Sequence, residues 1–227
     1  MENTRAGDDV DGITVSDVEV ESYSVSLPGT LTLPRHKPRA VVVFAHGSGS
    51  SRLSPRNAYV ATVLHESGFG TLLFDLLTEQ EDAVYDNRFD IDLLAERLTA
   101  ATEWLHEQEG LVDLHVGYFG ASTGAAAALQ ASVRRQDVGA IVSRGGRPDL
   151  AWDYLERVDA PTLLLVGGRD DRAVLEFNER ALARMNQGGT RRDNELVIVP
   201  GATHLFEEPG ALEEVARIAS QWFLRFL

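Results

Sequence analysis

The stretch Val116-Gly117-Tyr118-Phe119-Gly120-Ala121-Ser122-Thr123-Gly124-Ala125-Ala126-Ala127-Ala128-Leu129 decides the fold. It opens as a short apolar strand and closes as an alanine-rich helix. Between them, Gly120-Ala121-Ser122-Thr123-Gly124 matches G-x-S-x-G. A chain that passes from strand to helix within a residue or two turns sharply, and the residue at the apex is held in a strained conformation that pushes its side chain outward. Strand and helix then run so close that side chains two positions either side of the apex would collide, and glycine removes that collision. The result is a serine hydroxyl at a helix N-terminus, where free N–H groups and the helix dipole favour developing negative charge. A bare match to the pattern also arises in glycine-rich loops, where Gly120 and Gly124 would be turn residues only. The apolar strand before it and the helix formers after it are what favour the elbow.

Outward from this stretch the chain alternates. Upstream, Ala40-Val41-Val42-Val43-Phe44-Ala45 is a continuous apolar run, expected of a strand buried on both faces. It leads directly into His46-Gly47-Ser48-Gly49-Ser50-Ser51. Residues 55–67 read as a helix with Ser54 as N-cap and Pro55 at the first position. Residues 70–75 read as a strand, 76–88 as an acidic loop, and 90–108 as an amphipathic helix with Ile91, Leu94, Leu98, Ala101 and Leu105 on one face. Downstream, strands are expected at 139–143, 161–166 and 195–199, with helices at 149–157, 173–186 and 211–227. Nearer the start, apolar residues at 18–27 followed by Pro28-Gly29 and a short strand at 30–33 predict an antiparallel hairpin at a sheet edge. The alternation predicts an α/β fold: a doubly wound, mostly parallel sheet with helices on both faces. Residues 18–227 are expected to form a single domain behind a flexible acidic tail at 1–17. No repeat, low-complexity segment or linker divides them.

The 227 residues carry a net charge of -14, and the one lysine is Lys37. Nucleic-acid binding is disfavoured, because a phosphate backbone calls for a basic face. Hydrophobic residues make up 44 %, which suits an ordinary globular chain. No apolar run is long enough to span a membrane, and the polar, acidic start lacks the pattern of a signal peptide. There are no cysteines, so disulfides, thiolate metal sites and a thiol nucleophile are excluded. A cytoplasmic location, with no membrane partner, is the default expectation. The oligomeric state is not readable.

A serine hydroxyl needs a base beside it and an acid to orient that base. In an open parallel sheet the functional loops lie beyond the carboxyl ends of the strands. Asp170 and Asp171 follow the strand at 161–166 after a Gly-Gly turn, and His204 follows the last strand. Of the six histidines, His204 alone comes after Asp170. His46 also follows a strand, where holding the Gly-Ser-Gly loop is its favoured task. The order Ser122, Asp170, His204 is that of α/β-hydrolases. Asp170 is preferred to Asp171, the remaining carboxylate being suited to a helix N-terminus. Two N–H donors to an oxyanion are expected from Thr123, the residue after the nucleophile, and from the loop after the first core strand. Ser48 is the choice there, with Gly47 left open. The loop lacks the Gly-Lys-Ser/Thr ending of a P-loop, and the elbow's glycines do not fit a dinucleotide fingerprint. No cofactor or metal is called for.

The motifs Phe44-Ala45-His46-Gly47-Ser48-Gly49-Ser50-Ser51, Gly120-Ala121-Ser122-Thr123-Gly124, Gly167-Gly168-Arg169-Asp170 and Gly201-Ala202-Thr203-His204 resemble those of the α/β-hydrolase superfamily, and within it the small dienelactone hydrolase-like enzymes. The likeness spans about 18–227. It implies Ser122 as nucleophile, Asp170 as orienting acid and His204 as base. The namesake dienelactone hydrolases use a cysteine nucleophile, so the resemblance implies fold and ester chemistry but not the lactone substrate.

The expected function is hydrolysis of small or short-acyl esters through an acyl-serine. The same residues could equally serve acyl transfer, thioester or amide cleavage, and a non-catalytic binding member of the fold is the remaining alternative. The short interval 143–161 predicts no large lid. Gly47, Arg52 and Arg144 are candidate substrate contacts, with Arg56 and Arg147 nearby. Ion pairing of these arginines with Glu79, Glu81 or Asp82 is the preferred competing role.

Overall fold

The computed structural model describes residues 9–10, 12–188 and 193–227. Its strands are β1 (Asp9–Val10), β2 (Ile13–Ser22), β3 (Val25–Pro34), β4 (Val41–Ala45), β5 (Gly70–Phe74), β6 (Val116–Ala121), β7 (Val138–Arg144), β8 (Thr162–Gly167) and β9 (Glu195–Val199). They form one sheet in the order β1-β2-β3-β5-β4-β6-β7-β8-β9. β1, β2 and β3 pair antiparallel, β3 runs antiparallel to β5, and β4 to β9 are parallel. The fold is the doubly wound one that the alternation predicts.

Helices α1 (Pro55–Glu66), α2 (Glu79–Asp82), α3 (Ile91–Glu107), α4 (Thr123–Arg134), α5 (Arg172–Met185) and α6 (Ala211–Phe226) complete the order. One face of the sheet packs against α3, α4 and α5, the other against α1 and α6. Every position of β4, β5, β6 and β8 is buried, as strands covered on both faces must be. α1 opens as its sequence predicts, with Pro55 first and Ser54 Oγ accepting the Asn57 N–H at 3.4 Å.

Three local readings are corrected. The hairpin reverses at Tyr23-Ser24, not at Pro28-Gly29: Tyr23 adopts φ 52° and is 76 % exposed. Pro28 and Gly29 lie inside β3, opposite Glu19 and Val18, and Gly29 pairs with Phe74 on the other side. Pairing on both edges of β3 overrides the local turn preference. Residues 13–17, expected in the tail, belong to β2. The acidic stretch at 76–88 contains α2, with a full capping box between Thr78 and Glu81, and the start of a 3-10 turn, Tyr85–Phe89.

β4 is the strand from which the chain winds first to β5 on one side and then to β6 on the other. Such a reversal opens a crevice beyond the strands' carboxyl ends. The loop after β4 and the elbow after β6 both end there. Between β7 and β8 stands only the 3-10 segment Pro148–Arg157, so no lid among the described residues covers the crevice.

Candidate active site

β6 ends at Ala121 and α4 begins at Thr123, leaving Ser122 alone at the apex with φ 51° and ψ -118°. A non-glycine residue in this region costs roughly 1–3 kcal/mol and needs surrounding restraint. The restraint is visible. The Ser122 N–H donates to the Arg144 carbonyl at 3.2 Å, and the Ser122 carbonyl accepts from the N–H groups of Ala125 and Arg147 at 3.1 Å. The flanking glycines are required by close approach. A Cβ on Gly120 would lie 2.5 Å from Ala125 Cα, and one on Gly124 would lie 2.1 Å from the Ala45 carbonyl oxygen. We expect Gly124→Ala to lower stability by about 3 kcal/mol or more, since backbone on both sides must move. A urea midpoint equal to wild type would contradict this packing.

The loop after β4 lies against the elbow. A Cβ on Gly47 would come within 3.1 Å of Ser122 Cβ. His46 is buried and neutral in its role: Nδ1 donates to the Gly47 carbonyl at 3.0 Å, and Nε2 accepts the Leu76 N–H at 3.1 Å. It ties the loop to the end of β5. Burial holds its pKa below the ordinary 6.5. The unfolded chain therefore takes up this proton first as pH falls. Stability is unaffected above about 6.5, drops below it, and stops dropping once the folded residue also protonates. His65, also lowered by burial, acts in the same direction. We expect a His46→Gln variant to lose up to about 1.4 kcal/mol per pH unit of this slope. Melting curves from pH 7 downward check it; an unchanged slope would assign the acid sensitivity elsewhere.

Ser48 is placed beside the elbow, with its N–H engaged. It donates to Thr123 Oγ1 at 2.9 Å. Sequence reasoning named Thr123 for its N–H only; its hydroxyl fastens the loop to α4, a contact with no sequence signature.

Asp170 and His204 sit on two loops that are stitched together. The Gly168 N–H donates to the Val199 carbonyl and the Arg169 N–H to that of Ala202, both at 2.8 Å. Glu208 closes the second loop by accepting the Thr203 N–H at 3.0 Å. His204 Nδ1 then lies 2.9 Å from Asp170 Oδ2 and 3.2 Å from Oδ1. The Asp170 side chain is 2 % exposed, against 38 % for His204. Asp171 lines the same cavity as Asp170 but caps α5, accepting the Ala173 N–H at 2.8 Å. The His204 ring lies over Gly145, with Cε1 and Nδ1 at 3.4 Å from where a Cβ would stand. Gly145 follows Arg144, the residue whose carbonyl holds the Ser122 amide. His204 and Ser122 are therefore neighbours across the ends of β6 and β7. They make no direct hydrogen bond with each other in this structure.

Ser122, Asp170, Thr203 and His204 line one cavity of about 410 Å³, with Arg147 and Arg169 at its wall. A separate small cleft is lined by Gly47, Ser48 and Thr123. A larger groove of about 760 Å³ lies at the strands' amino ends, around the His106–Asp137 and Arg135–Asp137 pairs. It contains none of the candidate residues.

The arginines divide. Arg52 binds Asp75 through its backbone N–H at 2.7 Å and its Nε at 3.5 Å. It is paired, though not with Glu79, Glu81 or Asp82 as expected. Glu81 is taken by Arg97 and Asp82 by Arg88. Arg147 is held by Asp149. Arg144 is 7 % exposed and reaches only Asn57 Oδ1, at 3.4 Å. Its expected ion pair is absent among the described residues. Among them, too, no group of three or more His, Asp or Glu side chains is placed to hold a metal, and no helix is long and apolar enough to cross a membrane.

The model of the dienelactone hydrolase family matches residues 27–227. A crystal structure of dienelactone hydrolase from Anabaena variabilis is 50 % identical, with a TM-score of 0.89, over 96 % of this chain and 100 % of that one. Est1E from Butyrivibrio proteoclasticus is 14 % identical with a TM-score of 0.76, over 92 % and 98 % of the two chains, a likeness of fold alone. A Mycobacterium tuberculosis protein named "Putative phosphoribosyl transferase" is 58 % identical over 93 % of this chain and 46 % of its own length. The chain spans about half the length of that curated relative.

Proposed function

Because this chain belongs to the dienelactone hydrolase family, we propose that it is a serine hydrolase cleaving small or short-acyl carboxylic esters through an acyl-serine intermediate. One observation carries the reading: an imidazole held by a buried carboxylate at 2.9 Å faces the same cavity as the hydroxyl at the apex of a strained elbow. His204 Nδ1–H donates to Asp170, which leaves Nε2 free to accept the Ser122 proton as Oγ attacks the ester carbonyl. The Thr123 amide, at the open first turn of α4, faces the developing oxyanion. The Ser48 amide supplies the second hydrogen bond by exchanging the Thr123 hydroxyl for the substrate oxygen. His204 then returns the proton to the leaving alcohol, and water repeats the sequence to release the acid.

The uncovered crevice suits small acyl groups rather than long chains, which would leave apolar surface in water. The transferase name of the mycobacterial relative describes a protein about twice as long, and nothing in the cavity calls for that chemistry. A fluorophosphonate probe tests the proposal. The expected result is one adduct, on the peptide carrying Ser122, lost in Ser122→Ala. A folded wild-type protein that takes up no probe would refute an activated serine.

A further inference from the structure

We propose that Asn178 is a positioning residue for the reaction: its buried side-chain amide fixes the Gly145-Gly146 turn that sets the distance between His204 and Ser122. The proposal rests on the serine hydrolase reading and adds to it a residue from behind the cavity wall.

No hydrogen bond joins Ser122 to His204 in this structure, so their separation depends on what holds each of them. The segment from Arg144 to Arg147 touches both. At its ends, the Arg144 carbonyl accepts the Ser122 N–H at 3.2 Å and the Arg147 N–H donates to the Ser122 carbonyl at 3.1 Å. At its middle, Gly145 has φ 53° and lies against the His204 ring. Gly146 has no room for a side chain, because a Cβ there would collide with the Ser143 hydroxyl. Two glycines in a row have wide backbone freedom and no side chains to pack, so this turn is held through its peptide groups. The Gly145 N–H donates to the Leu165 carbonyl at 2.8 Å. Gly146 is buried, and a buried carbonyl calls for a donor. Among the described residues that donor is Asn178 Nδ2, at 3.0 Å.

Asn178 is wholly buried midway along α5, and its Nδ2 also donates to the Val174 carbonyl, one turn earlier, at 2.8 Å. Both groups facing the nitrogen are carbonyl oxygens, which fixes the orientation of the amide. Its Oδ1 has no hydrogen-bond partner among the described residues. On stability alone asparagine suits this place poorly. It is a weak helix former, and a buried amide with an unpaired oxygen carries a desolvation cost. Leucine, with the same branched shape, would incur neither. What the amide supplies is a link between elements. α5 begins directly after Asp170 and Asp171, and its Val174 lines the cavity that holds Ser122. One nitrogen thus joins the helix that follows Asp170 to the turn that seats His204 and anchors Ser122 at both its amide and its carbonyl.

Asn178→Leu keeps the branched shape and removes the donor. On p-nitrophenyl butyrate, at a temperature where every variant is folded, kcat should fall about 10- to 100-fold and KM should stay within about twofold. A displacement of about 1 Å between reacting groups costs a rate of this order, while the cavity lining is left unchanged. Labelling of Ser122 by a fluorophosphonate should slow by a similar factor. Asn178→Ser is the second variant. Its hydroxyl reaches the Val174 carbonyl within the helix but is too short for Gly146, so it should lose rate as Asn178→Leu does. Leu98→Ala, which opens a cavity beneath α3, supplies the contrast: a lower urea midpoint with kcat retained. If one substitution of Asn178 fails to fold, the other decides. Failure of both would make the amide a requirement of the fold and overturn the role. So would a kcat within about twofold of wild type, or rate losses that follow the urea midpoint through all three variants. A wild type that takes no label would end the serine reading and this role with it. A wild type labelled on Ser122, at a rate that the Asn178 variants share, would end this role alone.

Discussion

We expect Ser122→Ala to lower kcat on a short p-nitrophenyl ester by roughly 10⁴ to 10⁶, a loss of about 5 to 8 kcal/mol of transition-state stabilisation. The size follows from what is removed. In the proposed mechanism no acyl-enzyme forms without the hydroxyl, and His204 and Asp170 lose their task together. What the proposal leaves is the help of the Thr123 and Ser48 amides to direct attack by water, a residue of rate above the uncatalysed reaction. Stability moves differently. The apex conformation, φ 51°, costs the folded state about the same for alanine as for serine. Ser122→Gly, which relieves it, should be more stable than wild type by about 1 kcal/mol. Steady-state rates and urea midpoints on the same preparations check both. Activity within about tenfold of wild type in Ser122→Ala would end the nucleophile assignment.

Asp170→Asn should cost about 10⁴ in kcat, roughly 5.5 kcal/mol, while the protein stays folded. An amide in place of the carboxylate no longer demands a hydrogen on Nδ1, so the imidazole spends its time with Nε2 protonated and unable to take a proton from Ser122. It also withdraws the negative charge that stabilises the imidazolium formed during attack. Asp171→Ala supplies the contrast. That residue caps α5 through the Ala173 N–H at 2.8 Å, so its loss should cost about 1 kcal/mol of stability and leave most of the rate. The two carboxylates are adjacent in the chain, and only the pattern of losses tells their roles apart. A severe rate loss on Asp171→Ala with little on Asp170→Asn would reverse the assignment.

Much of this was legible before any coordinates. The elbow announces itself because a sharp strand-to-helix turn imposes requirements within five residues. Gly120 and Gly124 meet contacts of 2.5 and 2.1 Å that any side chain would violate. The apolar runs of β4 and β8 betray strands covered on both faces, and Ser54-Pro55 marks the start of α1. Chain order alone left His204 as the histidine following Asp170. Where local chemistry competed with long-range pairing, the reading failed. Pro28-Gly29 carries a turn signature, yet it lies within β3 because pairing with β2 and β5 on both edges is worth more than one turn.

The sequence by itself determined the alternation of strands and helices, the elbow and the order of its candidate partners. These depend on periodicity and on steric limits between near neighbours. The tertiary structure alone decided which aspartate faces His204, that the Ser48 amide is engaged by Thr123, that Arg52 takes Asp75, and that Arg144 is buried with no carboxylate partner among the described residues. Each of these is a distance between groups far apart in the chain, and electrostatic and hydrogen-bond energies depend on such distances and on burial, which no local pattern encodes.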